Sequence, residues 1–513
     1  MAAPTATAML ASTSATHENP PHQPRFEAIG CDTVLPPIQR QGLRRGRRES
    51  AKLSITSMPS RALGRPRLST RMADKCAIVP LAACAYGLIL FPLLTFVNPP
   101  SVEAVRSGTD ARPENRIFWP ILAAITVILA IQNRHRLARL TWPPHIIGLL
   151  AYLAFAGASV SWAFSPEASA TRFVQEVMIV TSIVLPAMLA ARTADMMRGL
   201  FLCFTFALFL NVPFALAGTA TMASNGLTSV YIGSPGYFSF KNYLGECAAI
   251  AFLLSLREML YPGRRRALGI VAAVIAISLI FTSDSKTALG LALVAPTLAG
   301  LVLIARKITR ISPAILLLSI PLCYAVLSTV HPFIMNNLSY RLYGDPTFTG
   351  RTVIWDFAQH EIERRPLLGW GYQSFWLVPG SPSGDARSWV GMMPNAHNGY
   401  YDTMLELGYP GLAFLGVFII ATLHAVGRVA DRDRARAWLL LSLAIFIIFY
   451  NCLESLWMRG FEFLWVVFVI VAAEIARYWR PLPPAKAGYG SRSPKTGGSP
   501  GPSPGTRKPR LAH

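Results

Sequence analysis

About twelve runs of apolar residues decide what this chain can fold into. They lie near 77–97, 117–133, 145–164, 173–191, 199–217, 244–260, 267–281, 287–305, 313–330, 409–427, 437–452 and 461–479. Runs of roughly 20 residues match the length of helix that crosses a bilayer. Strands of a membrane barrel would be about half as long and would alternate in polarity. Only 14% of the 513 residues are charged and 52% are hydrophobic, whereas a soluble protein carries roughly a quarter charged residues. The expected fold is an all-α polytopic membrane protein of about 12 transmembrane helices.

The connections are short, with one exception: residues 331–408 form a long polar loop. The expected division is a disordered basic tail at 1–75, nine transmembrane helices in 76–330, the loop at 331–408, three more helices in 409–480 and a second disordered basic tail at 481–513. Both tails are rich in Pro and basic residues and lack apolar periodicity. Met72 immediately precedes the first apolar run, so translation is expected to begin there or at Met58.

Alternate loops differ in charge. One set carries Arg134, Arg136, Arg139, Arg192, Arg198, Arg257, Arg264–Arg266, Arg306, Lys307, Arg310, Arg428, Arg432, Arg434 and Arg436. The opposite short loops carry less than half as many basic residues. The basic set is therefore expected to be cytoplasmic, with both termini, in an inner membrane. The loop at 331–408 then faces outward, as do Lys241 and Lys286. The net charge of +22 is accounted for by tails and topology, so no nucleic-acid partner is expected. The seven cysteines form no CxxC pair, which excludes a zinc framework of that kind. Asp356, His360 and Glu363 lack the further ligands that a metal site needs. Neither metal nor cofactor is expected.

Chemistry-bearing residues gather on the outward side. Arg351 opens a segment, TVIWDFAQHEIERR, whose apolar residues recur at helical spacing, and Trp355 shares its face. Arg351 and Arg341 could each grip a diphosphate through the guanidinium fork. Lys241-Asn242 precedes the sixth apolar run, and Ser283-Asp284-Ser285-Lys286 lies between the seventh and eighth. Phosphate at a helix start beside an ammonium is physically sensible. His397-Asn398 begins the stretch HNGYYDTMLELGYPG, which closes on Gly408 and Gly411. His397 could act as general base near neutral pH. On a helix starting at Asn395, Asp402 and Glu406 point away from it, so a carboxylate partner would have to come from elsewhere, or His397 binds rather than deprotonates. Glu454 and Glu462 flank the last outer loop and are expected at water-accessible helix ends.

The spacing H-N-x9-G-x-x-G resembles the O-antigen ligase and polysaccharide polymerase superfamily. The G-R-x3-W and P-L-L-G-W-G-Y elements resemble its loop signature. The K-N-x-L-G run resembles its exopolysaccharide polymerase branch (ExoQ-like), and Lys286 stands where family members commonly carry Arg or Lys. The resemblance implies a helical GT-C-type fold. It also implies inverting, metal-independent transfer of a glycan from an undecaprenyl-pyrophosphate-linked oligosaccharide at the bilayer. His397 and Arg351 would be catalytic, and Lys241, Asn242, Lys286, Arg341, Trp355 and Asn398 would bind substrate. A chain-length regulator is a further expected partner. Polymerase and ligase both remain open. A bicarbonate-like or lipid-linked glycan transporter is the reading from another class. It is disfavoured by spans that look apolar at mid-depth, with Asn211–Pro213 as the main interruption.

Overall fold

A computed structural model describes residues 74–99, 113–217, 222–224, 229–231, 233–330, 350–384 and 389–479, less 461 and with 337, 340, 341, 348 and 386 added. The two tails and most of 331–349 lie outside the described residues.

Each expected apolar run corresponds to a helix. These are α1 (Lys75–Val97), α2 (Pro113–Gln132), α3 (Pro144–Ser159), α4 (Pro166–Leu189), α5 (Met196–Leu216), α6 (Lys241–Glu258), α7 (Arg264–Ser283), α8 (Lys286–Thr309) and α9 (Pro313–Val330). The loop helix α10 (Arg351–Arg364) follows, then α11 (Gly399–Ala430), α12 (Arg434–Tyr450) and α13 (Phe463–Arg477). Eight of them are long and apolar enough to cross a membrane. Others are short: α12 has 17 residues and α13 has 15. Among the described residues the departure from an all-α chain is a two-stranded antiparallel hairpin, β1 (Met222–Ser224) with β2 (Ser229–Tyr231), in the connection between α5 and α6.

Helix α13 is the hub. Every residue from Phe463 to Arg477 is buried, and α1, α3, α4, α11 and α12 all contact it. Many outer helices instead expose aliphatic side chains, such as Ile121, Ile125 and Ile128 on α2, as a lipid-facing surface requires. In α1, residues 86–90 widen into a π-turn just before Pro92, with the amide of Phe91 donating to the carbonyl of Tyr86. Proline cannot donate within a helix, and the π-turn absorbs the mismatch. The spans are less apolar inside than the sequence pattern implies. Glu176 is buried in the middle of α4, where the indole Nε1 of Trp465 donates to it at 2.6 Å.

Chain direction sorts the polar residues to two ends of the bundle. Lys241, Lys286 and His397 stand at the starts of α6, α8 and α11, and Asp284 at the end of α7. At the other end of these helices stand Glu258, Arg265, Arg306 and Ala430. There the basic loops are not simply solvated. Glu258, fully buried, pairs with Arg198 at 3.0 Å and Arg265 at 2.6 Å. Arg257, also buried, reaches Asp195 at 3.4 Å, and Glu474 holds Arg477 at 2.5 Å. The first three pairs join the ends of α5, α6 and α7, while the last lies within α13. Buried groups of this kind are costly to break singly.

The long loop has a small core of its own, built from Ile354, Ala358 and Ile362 of α10 with Trp370, Phe375, Trp376, Val390, Ala396 and Leu405. Its anchor is an interruption in α11. Gly408 adopts φ 66°, ψ −171°, which breaks the helical ladder. The carbonyls of Leu405 and Glu406 instead accept from the amides of Trp370 and Gly371, both at 2.8 Å, and the amide of Tyr409 donates to Pro366 at 2.8 Å. A Cβ at Gly408 would come within 2.6 Å of the Leu367 carbonyl. Gly408→Ala therefore combines a backbone conformation open essentially to glycine alone, costing on the order of 1–3 kcal/mol, with a backbone clash. We expect the purified variant to melt several degrees lower in detergent and to lose protease resistance first in the 366–408 loop. Unchanged melting and digestion would show that the loop does not depend on this break.

Candidate active site

The site is built around Glu454, in the turn between α12 and α13. Its Oε1 accepts from Nη2 of Arg351 at 2.7 Å and from Nδ2 of Asn242 at 2.8 Å. Its Oε2 faces Nδ1 of His397 at 2.9 Å. One carboxylate thus joins the first turn of α6, the first turn of α10, the residue before the cap of α11 and the α12–α13 turn. Glu454 is only 14% exposed. Burial pushes its carboxyl pKa up, but the hydrogen bond and charge of His397 and the Arg351 guanidinium outweigh that and hold it below the ordinary range.

Two expectations are corrected here. Glu454 and Glu462 are not water-reached acids at helix ends; Glu462 is buried and accepts from the Tyr243 hydroxyl at 2.8 Å. Burial raises the Glu462 pKa to about 7, against the opposing pull of Tyr243 and Arg459. The helix carrying His397 also starts later than Asn395. Asn398 is its cap, and His397 sits just outside it in the left-handed region at φ 49°.

That backbone turns the imidazole toward Glu454. The amide of His397 donates to Asn395 Oδ1 at 2.9 Å, and the amide of Asn398 to Ser455 Oγ at 3.0 Å. The amide of Gly399 donates to the carbonyls of Asn451 and Glu454, at 2.8 and 3.0 Å. With the carboxylate accepting from Nδ1–H, the other ring nitrogen, Nε2, carries the lone pair. Asp402 and Glu406 do not orient the imidazole, in line with their angular position. Both pair with buried Arg459, at 3.0 and 3.2 Å. Burial disfavours the charged guanidinium, yet these two carboxylates raise its pKa overall. Asp402 also accepts from Trp376 Nε1 at 2.7 Å and from the Ala396 amide at 3.1 Å.

The candidates expected from the sequence fall into four groups. Arg351, Asn242 and His397 meet at Glu454. Lys241 lies beside Asn242 but is paired with Asp284 Oδ2 at 3.2 Å, and exposed Lys286 opens α8 two residues beyond Asp284. Trp355 and Asn398 are committed to structure. Trp355 Nε1 donates to the Ala396 carbonyl at 3.1 Å, and its ring stacks on Tyr401 at 6.1 Å. Asn398 Oδ1 caps the amides of Tyr400 and Tyr401 at 3.0 and 3.3 Å. Arg341 is exposed and joins none of the site's hydrogen bonds among the described residues. Also among the described residues, no group of three or more His, Cys, Asp or Glu side chains could hold a metal ion.

Residues 271–416 match the O-antigen ligase family. The chain is also 27% identical over 304 residues to the exopolysaccharide production protein ExoQ of Rhizobium meliloti (strain 1021). That alignment covers 56% of this chain and 66% of ExoQ, just under two thirds of the relative's length. Fold, site and both similarities point one way: the chain is a multi-pass helical membrane protein similar to the O-antigen ligase and polysaccharide polymerase superfamily. Within that class the similarity runs to the ExoQ-like, exopolysaccharide side. Glu454, Lys241 and Asn242 lie outside the matched segment and are brought to it only by folding.

The sign of the Glu454 shift sets a pH dependence. A carboxyl held below its ordinary value contributes stability that is full above that value, 4.5, and is lost as pH falls through the lower folded one. Melting temperature should therefore drop between about pH 5 and pH 3 by more in the wild type than in Glu454→Gln. Parallel curves would mean that Glu454 is not held ionised by His397 and Arg351.

Proposed function

We propose that this protein is a membrane glycosyltransferase that polymerises exopolysaccharide or O-antigen repeat units on the periplasmic face, drawing on an undecaprenyl-pyrophosphate-linked donor. The observation that supports the reading best is the His397–Glu454–Arg351 constellation. His397 Nε2 takes the proton of an acceptor sugar hydroxyl, while Glu454 holds the Nδ1 proton and stabilises the resulting imidazolium. The acceptor oxygen bonds to the anomeric carbon as the carbon–oxygen bond to the pyrophosphate breaks on the opposite face, which inverts the configuration. The electron pair leaves with the lipid pyrophosphate. Arg351 stabilises that developing charge, as do Lys241 and Lys286 at the starts of α6 and α8, so the charge can be met without a metal. Lys241 first has to exchange Asp284 for phosphate. Arg341, Trp355 and Asn398 complete the proposed substrate-binding set, the last two by holding the His397 segment in place.

The ligase reading keeps the same chemistry and changes the acceptor to lipid A core or another molecule. It is favoured by the match of residues 271–416 to the O-antigen ligase family.

The deciding experiment is a size profile of lipid-linked and exported glycan in a strain lacking this protein, restored with wild type or variants. Single lipid-linked repeats accumulating with His397→Ala mean polymerase; long chains held on the carrier lipid mean ligase. An unchanged profile rejects both. General-base catalysis is worth about 10²–10⁴-fold, so His397→Ala should reduce product to background. Arg351→Lys keeps the charge but loses the fork and should leave a reduced, measurable rate.

A further inference from the structure

At the end of the bundle opposite His397 carboxylates hold some of the arginines, and others gather in a cleft. A cleft of about 640 Å³ lies between the end of α8, the end of α11 and the start of α12, lined by Leu303, Ile304, Arg306, Lys307, Arg310 and Arg434, with Asp431 at its rim. Arg306 is paired with Asp431 at 2.9 Å. Lys307, Arg310 and Arg434 are exposed and make no ion pair among the described residues. This contrasts with Arg198, Arg257 and Arg265 at the same end of the bundle, which carboxylates hold. Arg306, Lys307, Arg310 and Arg434 share the cleft with a single carboxylate, Asp431, so they repel one another, and bound negative charge lowers that cost.

The cleft is not simply a polar surface. On α8, Leu301, Ile304 and Ile308 are exposed and recur at the three- and four-residue spacing of one helix face. Ile304 belongs to both that lipid-facing stripe and the cleft wall. A ligand seated there meets phosphate-binding cations and, on the same helix, a surface made for acyl chains. Trp438 Nε1 donates to the Pro296 carbonyl at 2.9 Å and fixes α12 against α8, so the walls are held together in the absence of a ligand. The volume falls in the range of about 300–1,000 Å³ typical of small-ligand sites.

We propose that this cleft binds the phosphate headgroup of an anionic phospholipid, with the acyl chains lying along Leu301, Ile304 and Ile308. Basic pockets between transmembrane helices recognise such headgroups. Arginine offers them a fork and lysine a point charge.

The test uses the full chain purified in a neutral detergent. Phosphatidylglycerol, phosphatidylcholine and soluble glycerol phosphate are titrated separately, and binding is read from melting temperature and from lipid retained in native mass spectrometry. Phosphatidylglycerol should bind at least tenfold more tightly than phosphatidylcholine, and K307A/R310A/R434A should abolish that difference. Asp431→Asn frees Arg306 and should tighten binding several-fold. It gives an independent readout should the triple variant fold poorly. Equal binding of both lipids, an undiminished preference in the triple variant, or no tightening with Asp431→Asn would overturn the proposal. Glycerol phosphate binding as tightly as the lipid would also overturn it, in favour of a soluble anion.

Discussion

One carboxylate holds the His397 end of the bundle together. Glu454 accepts from side chains belonging to three other parts of the fold, and each of those parts is otherwise anchored separately. α6 is carried by the bundle, α10 by the small loop core, and His397 by the turn after α12. Without a common acceptor, nothing would draw Arg351, Asn242 and His397 to one point. With it, they converge within hydrogen-bond distance of one group, and the imidazole is fixed through a single nitrogen. Structure and proposed chemistry depend on the same interaction, because the carboxylate that neutralises Arg351 also orients His397.

The buried pairs around it serve different ends. Arg459 joins Asp402 and Glu406 beneath the start of α11, which explains why two acids so near His397 in sequence contribute nothing to its orientation. They are consumed in holding the helix that follows it. Lys241 and Asp284 form an exposed, exchangeable pair, since surface pairs are worth about 0–1 kcal/mol. A phosphate can displace such an acid without undoing the fold. The same exchange at Arg459 would leave buried charges uncompensated.

Much of this was legible in the sequence, and the reasons are physical. Long apolar runs fold as helices in a bilayer, so a helix was legible at each run, although only eight of these helices, among the described residues, are long and apolar enough to cross a membrane; α10 showed itself by its period. What sequence could not reach was contact between distant segments. Glu454 follows His397 by 57 positions, and nothing in its flanks marks it as buried. Reading it as a solvated helix-end acid follows from local pattern alone. Trp355 and Asn398 were legible as special positions, but their partners, the Ala396 carbonyl and two amides of α11, are backbone groups with no sequence signature. Arg341 looked like Arg351 by composition and differs from it only in placement.

The glycines of the H-N-x9-G-x-x-G pattern can now be given a mechanical meaning. The spacing is the distance between two backbone events on α11: the cap at Asn398, which sets the imidazole, and the break at Gly408, which frees two carbonyls for the 366–371 turn. Between them lies a helical rod that carries Asp402 and Glu406 inward to Arg459. Lengthening the rod by one residue would rotate the cap by about 100° relative to the break, so His397 would leave Glu454 while every named residue type was still present. The pattern records a geometric relation between His397 and a docking point for the loop that carries Arg351. That relation is why the spacing constrains the site as strongly as the residues themselves.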